Sequence, residues 1–547
     1  HQLVTYFTCN SGWFLERESV IMFFTPQLPA TNQVTTVPAP IGGLNARDSL
    51  AAMPETDAVV LENWWPQPYG CTVRNGYREW TTGLPANANT LATWSGRTGT
   101  QALFAWANTG MYNVTTRGAV GAAIVTGLAA NVTWQSVQMN NAAANTLIAV
   151  NGTDNPIFYN GVVGRYTGVE WTGVTPANLI QVTIHQRRLW AVEKNTAFGW
   201  FLAPDAIIGA FQKFDFGPLF SRGGYLQFLS TWTLDDGNGA EDHLVAVSSE
   251  GEAVVYGGTD PTDSLKWGLV GVYYIGKPVS GYNGYSKVGG DLYILTQQGV
   301  ISMAAQLIST KVSEAKEKLV TDKIQFRISD LMSRYSASTG WNMEFYAKYN
   351  MLLISIPALT LGTDTVIQLA CNTITNAWTQ FSSMSATAWG SLADEPYFAD
   401  KSGRVHQAWY GVLDGVLLDN TGGNTITTAV LQAYSYLNSG ATQKQVDMYK
   451  PNFLVLYDLA YTSTILYDFR SSALTTGSAP ATDPTSLWNS ALWDISLWRT
   501  SSTYLQKQWN QAEGMGVAAA LNMIARSNSG GLWVSTDYSF KAGVGLF

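Results

Sequence analysis

Apolar and polar positions alternate in short runs along most of this chain, and seven times an apolar run meets a Gly, Asn or Asp turn before a second one begins. The cassettes are LFAWANTGMYNV from Leu103, LIAVNGTDNPIFYNG from Leu147, LWAVEKNTAFGWFL from Leu189, LVAVSSEGEAVVYGG from Leu244, LYILTQQGVISMA from Leu292, LLISIPALTLGTDTVIQLA from Leu352 and YFADKSGRVHQAW from Tyr397. Successive cassettes begin 44, 42, 55, 48, 60 and 45 residues apart, bracketing the roughly 40 to 50 residues of a four-stranded propeller blade. A lone two-stranded hairpin is marginal in water until neighbours cover its apolar face. The pattern therefore predicts a mainly β chain: a β-propeller of six to eight blades, with a small helical insertion and an additional antiparallel β domain.

The period changes in three places. Residues 25–40 carry four Pro and no apolar repeat, an extended arm that makes residues 1–38 an N-terminal extension. The chain begins at His1 and its first Met is Met22, so translation is expected to start there; residues 1–24 lack the layout of a signal peptide. The propeller is expected over residues 39–424. Within its longest interval, Val312, Ala315, Leu319, Ile324, Ile328, Leu331 and Tyr335 recur at helical steps. They predict an amphipathic insertion over residues 309–335, divided in two, with Thr321 and Asp322 as candidate caps; its stripe packs on the propeller rim or on another subunit. Residues 425–547 read as a β-rich platform or docking domain, with strands such as ITTAVLQAYSYL and GGLWVSTDYSF.

Composition narrows the functional classes. Charged residues make up 13% of the chain and aromatic ones 12%, with 51 Gly and 21 Trp. Such a load of large rings with polar handles points to interfaces and to a homo-oligomer. A net charge of −8 argues against gripping nucleic acid through its phosphates. Cys9, Cys71 and Cys371 are too scattered for a disulfide framework or a zinc knuckle.

Motifs for chemistry fail on inspection, so no cofactor, metal or catalytic residue is expected. GVYYIGKPV from Gly271 has the glycines and Lys277 of a phosphate loop, yet Pro278 stands where a magnesium-binding hydroxyl belongs. His1, His185, His243 and His406 have no ligand spacing. The densest acidic cluster, Asp235, Asp236, Glu241 and Asp242, breaks the EF-hand spacing and reads as a Gly-rich hairpin loop. Trp488, Trp493 and Trp498 fall at intervals of five, which suits neither helix nor strand. They are candidates for interface or docking anchors or, less simply, for a sugar-stacking platform.

Several longer stretches carry a family likeness. APIGGLNARDSLAAMPETDAVVLENWWPQPYGCTVRNGY from Ala39, FDFGPLFSRGGYL from Phe214, TWTLDDGNGAEDHLVAVSSEGEAVVYGGTDPTD from Thr231 and GGDLYILTQQGV from Gly289 resemble tail nozzle (tail tubular protein B-like) structural proteins of short-tailed bacteriophages. The likeness runs from about Ala39 to the end of the chain. It implies a virion structural protein, not an enzyme, assembled in the host cytoplasm as a homohexameric ring through which double-stranded DNA is ejected. The implied partners are other copies of the chain, a tail adaptor protein, tail fibres or spikes, and the host envelope at the tip. An acidic wall suits such a conduit, because each phosphate contact would brake the DNA. The cluster of Asp235, Asp236, Glu241 and Asp242 is then the first candidate for the lumen. The competing expectation is a carbohydrate- or receptor-binding propeller using Trp488, Trp493 and Trp498, and a third is a hydrolase with an unrecognised acidic pair.

Overall fold

A computed structural model describes residues 32–165, 170–235, 240–308, 319–357, 367–470, 472 and 503–543. Every cassette forms an antiparallel hairpin, from Gln101–Ala107 with Gly110–Asn113 to Glu395–Asp400 with Val405–Ala408. Each is preceded by one more strand on its inner side. The inner strands are Ala88–Ser95, Gln135–Asn140, Leu179–His185, Leu226–Asp235, Tyr285–Val288, Asn342–Tyr346 and Ala386–Leu392. They follow one another round an axis until the last lies against the first.

Apolar clusters fill the gaps between neighbours. Phe104, Trp106, Trp134 and Leu147 pack between the first two blades, and Trp190, Leu229 and Leu244 between the third and fourth. Leu103, Ala388 and Tyr397 join the seventh unit to the first. Neighbouring blades thus supply the cover that each hairpin lacks.

The blade count needs correction. Five sheets stand as discrete blades, where six to eight were expected. The cassettes at Leu352 and Tyr397 belong instead to a 15-stranded, nearly closed sheet. It runs outward from Asn342–Tyr346 to Ala377–Phe381, then through Gly43–Leu44, Asp57–Glu62, Asn424–Gln432 and Leu413–Val416. It returns inward through Tyr77–Thr82 and Val405–Ala408 to Ala386–Leu392. Hydrogen bonds to strands from both ends of the chain have fused the last two blades.

The expected domain boundaries also shift, because strand pairing ignores them. Gln33–Pro38, placed by sequence in an arm, is a strand paired with Leu532–Ala542. Trp64–Gln67 and Gly70–Val73 join the same eight-stranded sheet as Lys444–Val455. The platform is therefore built from both ends of the chain and is continuous with the propeller.

A buried ion pair sits where ring and platform meet. Arg74 donates to both oxygens of Asp414, at 2.8 and 2.6 Å. Its remaining N–H groups reach Asn63 Oδ1 at 2.8 Å, the Ser382 carbonyl at 2.9 Å and the Asn75 carbonyl at 2.9 Å. At the start of Asp57–Glu62, the end away from Asn63, Lys323 Nζ bonds Asp57 Oδ1 at 2.7 Å while Asn45 Nδ2 holds the other oxygen at 2.8 Å. Gly43, at φ +81°, lies so close to the Trp378 backbone that a Cβ would come within 2.6 Å of its carbonyl oxygen.

Part of the helical insertion, residues 309–318, lies outside the described residues. The remainder forms the helix Gln325–Tyr335, whose Ile328, Leu331 and Met332 are buried in the main core with Trp378 and Leu352. The described part of the stripe, from Leu319 to Tyr335, thus packs on the protein itself. Thr321 does not cap a helix with its side chain; its hydroxyl accepts from Val300 N at 3.1 Å.

Candidate functional site

The inner strands carry polar side chains that point across blade gaps, and these stitch the ring together. Thr387 Oγ1 donates to the Ala88 carbonyl at 2.8 Å, and Trp134 N donates to Thr90 Oγ1 at 2.8 Å. Gln181, fully buried, bonds the Leu229 carbonyl and the Tyr285 hydroxyl. Gln227 reaches the Val279 and Gly281 carbonyls. Gln135 Nε2 crosses from the second blade to Asn283 Oδ1, just before the fifth, at 2.5 Å.

Beside this last contact the axis opens into a cavity of about 430 Å³. Its wall comes from the beginnings of the first, second, fifth, sixth and seventh inner strands, including Thr90, Gln135, Tyr285, Glu344 and Thr387. Asn342 lies opposite Ser355 in strand register, and Glu344, two positions on, shares that face. Among the described residues, Asn342 Oδ1, Ser355 Oγ and Trp389 Nε1 have no hydrogen-bond partner although each atom is buried. Among the described residues Glu344 is the lining's one carboxyl group, and no Lys or Arg accompanies it.

Desolvation dominates the electrostatics of this wall. It pushes the Glu344 carboxyl up to about 7, because the ionised form gives up water without gaining a cation. Tyr285 is pushed up to about 12 chiefly by burial, against the bond from Gln181. Tyr346 is raised further, first by burial and then by the Glu344 charge.

The acidic loop lies elsewhere. Asp235 ends the fourth inner strand, whereas the cavity gathers the beginnings of inner strands, so the loop and the cavity belong to opposite ends of the axis. Glu241 is exposed; Asp242 is half-buried and accepts from Thr233 Oγ1 at 2.7 Å. Asp236 lies outside the described residues, as do Trp488, Trp493 and Trp498. Asp242 also raises the affinity of nearby His185 for a proton, but burial prevails and lowers that pKa to about 4.

Other candidates have ordinary structural surroundings. Lys277 pairs with Glu250 at 3.1 Å, and Cys71 and Cys371 are buried free thiols. Among the described residues no group of three or more His, Cys, Asp or Glu side chains is placed to hold a metal ion.

Comparison with known proteins gives little beyond architecture. No protein-family model matches the chain, and no curated protein matches it either. Among solved structures it is similar to BBS1N in complex with ARL6DN, with 11% identity over 61% of this chain and 98% of that one, at a TM-score of 0.37. It is similar to YCF48 bound to a D1 peptide, with 10% identity, 61% and 98% coverage and a TM-score of 0.35. The Dos1 propeller gives 8% identity, 60% and 94% coverage and a TM-score of 0.34.

Proposed function

We propose that this chain is a structural subunit of a short-tailed phage virion, six copies of which form the tail nozzle that carries the genome into the host. The observation that carries the reading is the part played by the stretch that resembles this family. Its Arg74 holds the propeller to the platform through Asp414, and its Asn45 and Asp57 hold the helical insertion through Lys323, with Asp57 1% and Arg74 1% exposed. Groups spent on such a joint build a rigid subunit; they do not meet a substrate.

Two further features support assembly around DNA. The net charge of −8 lets a phosphate backbone pass without strong capture. The outermost strand of the fourth blade, Trp267–Tyr274, leaves Leu269, Val270, Val272 and Tyr274 exposed, an apolar edge suited to a neighbouring subunit. The DNA path in this proposal runs between subunits, since side-chain bonds such as Gln135 to Asn283 cross the axis of each propeller. The adaptor, fibres or spikes, and host envelope would be met by the outer faces of the ring, and no catalytic step is assigned.

Cryo-electron microscopy of the assembled particle tests this. Six copies around the tail axis are expected. A position off the axis, or three copies in place of six, overturns the proposal.

A further inference from the structure

We infer that a second pocket, at the joint of ring and platform, docks a short proline-containing segment in the extended polyproline II form, supplied by a second copy of this chain. This goes beyond the conduit reading and does not depend on it. The pocket measures about 270 Å³. It lies between the hairpin of Trp64–Gln67 with Gly70–Val73 and the turn Ala347–Tyr349 that follows the sixth inner strand.

Its wall is aromatic. Trp65 and Trp409 meet edge to face with ring centroids 5.5 Å apart, and Tyr349 leans on Trp409 at 5.7 Å. Trp409 adopts φ +58°, a conformation that strains a bulky residue, and it does so where its half-buried ring lines the pocket. Among the described residues neither indole N–H has a hydrogen-bond partner, yet neither is closed to water, unlike those of Trp64, Trp106 and Trp389. Trp65 is only 4% exposed, so what stays open of it faces this pocket. The side-chain amides of Gln67 and Asn75 in the same lining are likewise open and without a partner among the described residues.

These groups select the ligand class. Lys348 is paired with Glu395 and stands over the Tyr349 ring, so an anion finds no unpaired cation here and a cation meets an ammonium group. Indole N–H groups only donate, and they call for acceptors. A sugar brings a hydroxyl hydrogen with every hydroxyl oxygen, and the two indoles offer those hydrogens nothing. A polyproline II segment bears carbonyls with no internal partner and rings that pack on aromatic faces, so it answers both parts of the wall. The chain carries such a sequence in Pro26, Gln27, Leu28 and Pro29, outside the described residues and with P-x-x-P spacing. Its own pocket is beyond its reach. The hairpin that walls the pocket pairs with Leu532 and Trp533, while Gln33 pairs with Phe540, about 20–26 Å further along the same strand. Pro29 stands four residues before Gln33 and extends at most about 14 Å from it. The pocket of one copy therefore takes the segment of another.

Titration calorimetry tests the docking with a synthetic peptide of residues 23–32, on the full chain carrying Pro26→Ala and Pro29→Ala so that its own segment does not compete. Saturable binding is expected. The same peptide with both prolines replaced by alanine should bind about tenfold more weakly, having lost its preorganisation. Trp409→Phe, which keeps a ring and removes the N–H, should weaken binding about threefold to tenfold, and melting curves report whether the variant is folded. Cross-linking tests the source of the segment: one copy carries Leu28→Cys and the other Ile374→Cys, a pocket residue 67% exposed, both with Cys9→Ser. Oxidation of the mixture should give a disulfide between copies. No saturation, equal affinity for the alanine peptide, no loss in folded Trp409→Phe, displacement of the peptide by D-glucose, or a disulfide that forms only when both cysteines are in one chain each overturns the inference.

Discussion

The five discrete blades and the two fused ones begin from the same hairpin pattern but treat their outer edges differently. A free strand edge is a template for pairing with another chain, and proteins blunt it with charge, shortness or cover. The second blade ends in the three residues Val163–Arg165, and the third in Gln212–Asp215, mostly exposed and carrying Lys213. In the sixth and seventh units the edges are covered by Gly43–Leu44 and Tyr77–Thr82. Discreteness is thus a property of edges, since identical hairpins become blades or a continuous sheet according to what lies beside them. Trp267–Tyr274 follows neither course, being eight residues long and apolar, which is why it marks the blade most ready for a partner.

The sharpest way to break this contrast is at the joint. Asp414→Ala strands the buried Arg74 guanidinium and should cost about 3–5 kcal/mol, read from the denaturant midpoint; a loss below about 1 kcal/mol would show that the fused units hold without it. Next comes the axis. Glu344 in the folded chain keeps a proton to about 7, against an ordinary value of 4.5, so the folded state binds a proton that the unfolded chain has released. Stability therefore falls as pH rises between those values and stays lowered above them. Glu344→Gln should accordingly stabilise the protein at pH 8 by up to about 3 kcal/mol and leave it unchanged near pH 4. Equal melting shifts at both pH values would refute this.

Glycines give the finest comparison. Gly43 in the joint and Gly99 in the first blade have nearly equal φ values, +81° and +82°, but a Cβ at Gly99 meets nothing within 4 Å. Each Ala variant carries the left-handed backbone penalty of about 1–2 kcal/mol. Gly43→Ala should cost about 1–3 kcal/mol more, through its collision with Trp378. Matched thermal melts of the two variants measure the difference directly.

The sequence exposed the hairpins because their strands are doubly buried and read as continuous apolar runs. It hid the inner strands, whose faces mix apolar packing with polar stitching. Ala88–Ser95, with ANTLATWS, and Asn342–Tyr346, with NMEFY, have no clean alternation. One signal was present, since Gln135, Gln181 and Gln227 recur at intervals of 46, one for each of three successive blades. Nothing local marked Asn342, Ser355 and Trp389 as neighbours, because strand register and the packing of the seventh unit on the sixth bring them together. The fusion of two blades was equally hidden: Arg74 and Asp414 are 340 residues apart, and no short-range pattern reports such a pair.

The strand Gln33–Pro38 also places a demand on time. Thr36 donates to Asp537 across 501 residues, and at about 5–20 residues per second a ribosome needs roughly 25–100 seconds to make the intervening chain. The amino-terminal strand must spend that interval without its mate. The blades between can assemble from local hairpins as they emerge, but the seam that locks them to the platform forms only after Leu532–Ala542 has been made. A chain interrupted before Leu532–Ala542 would leave a ring largely formed and a platform open, with the edge of Gln33–Pro38 free to capture the wrong strand.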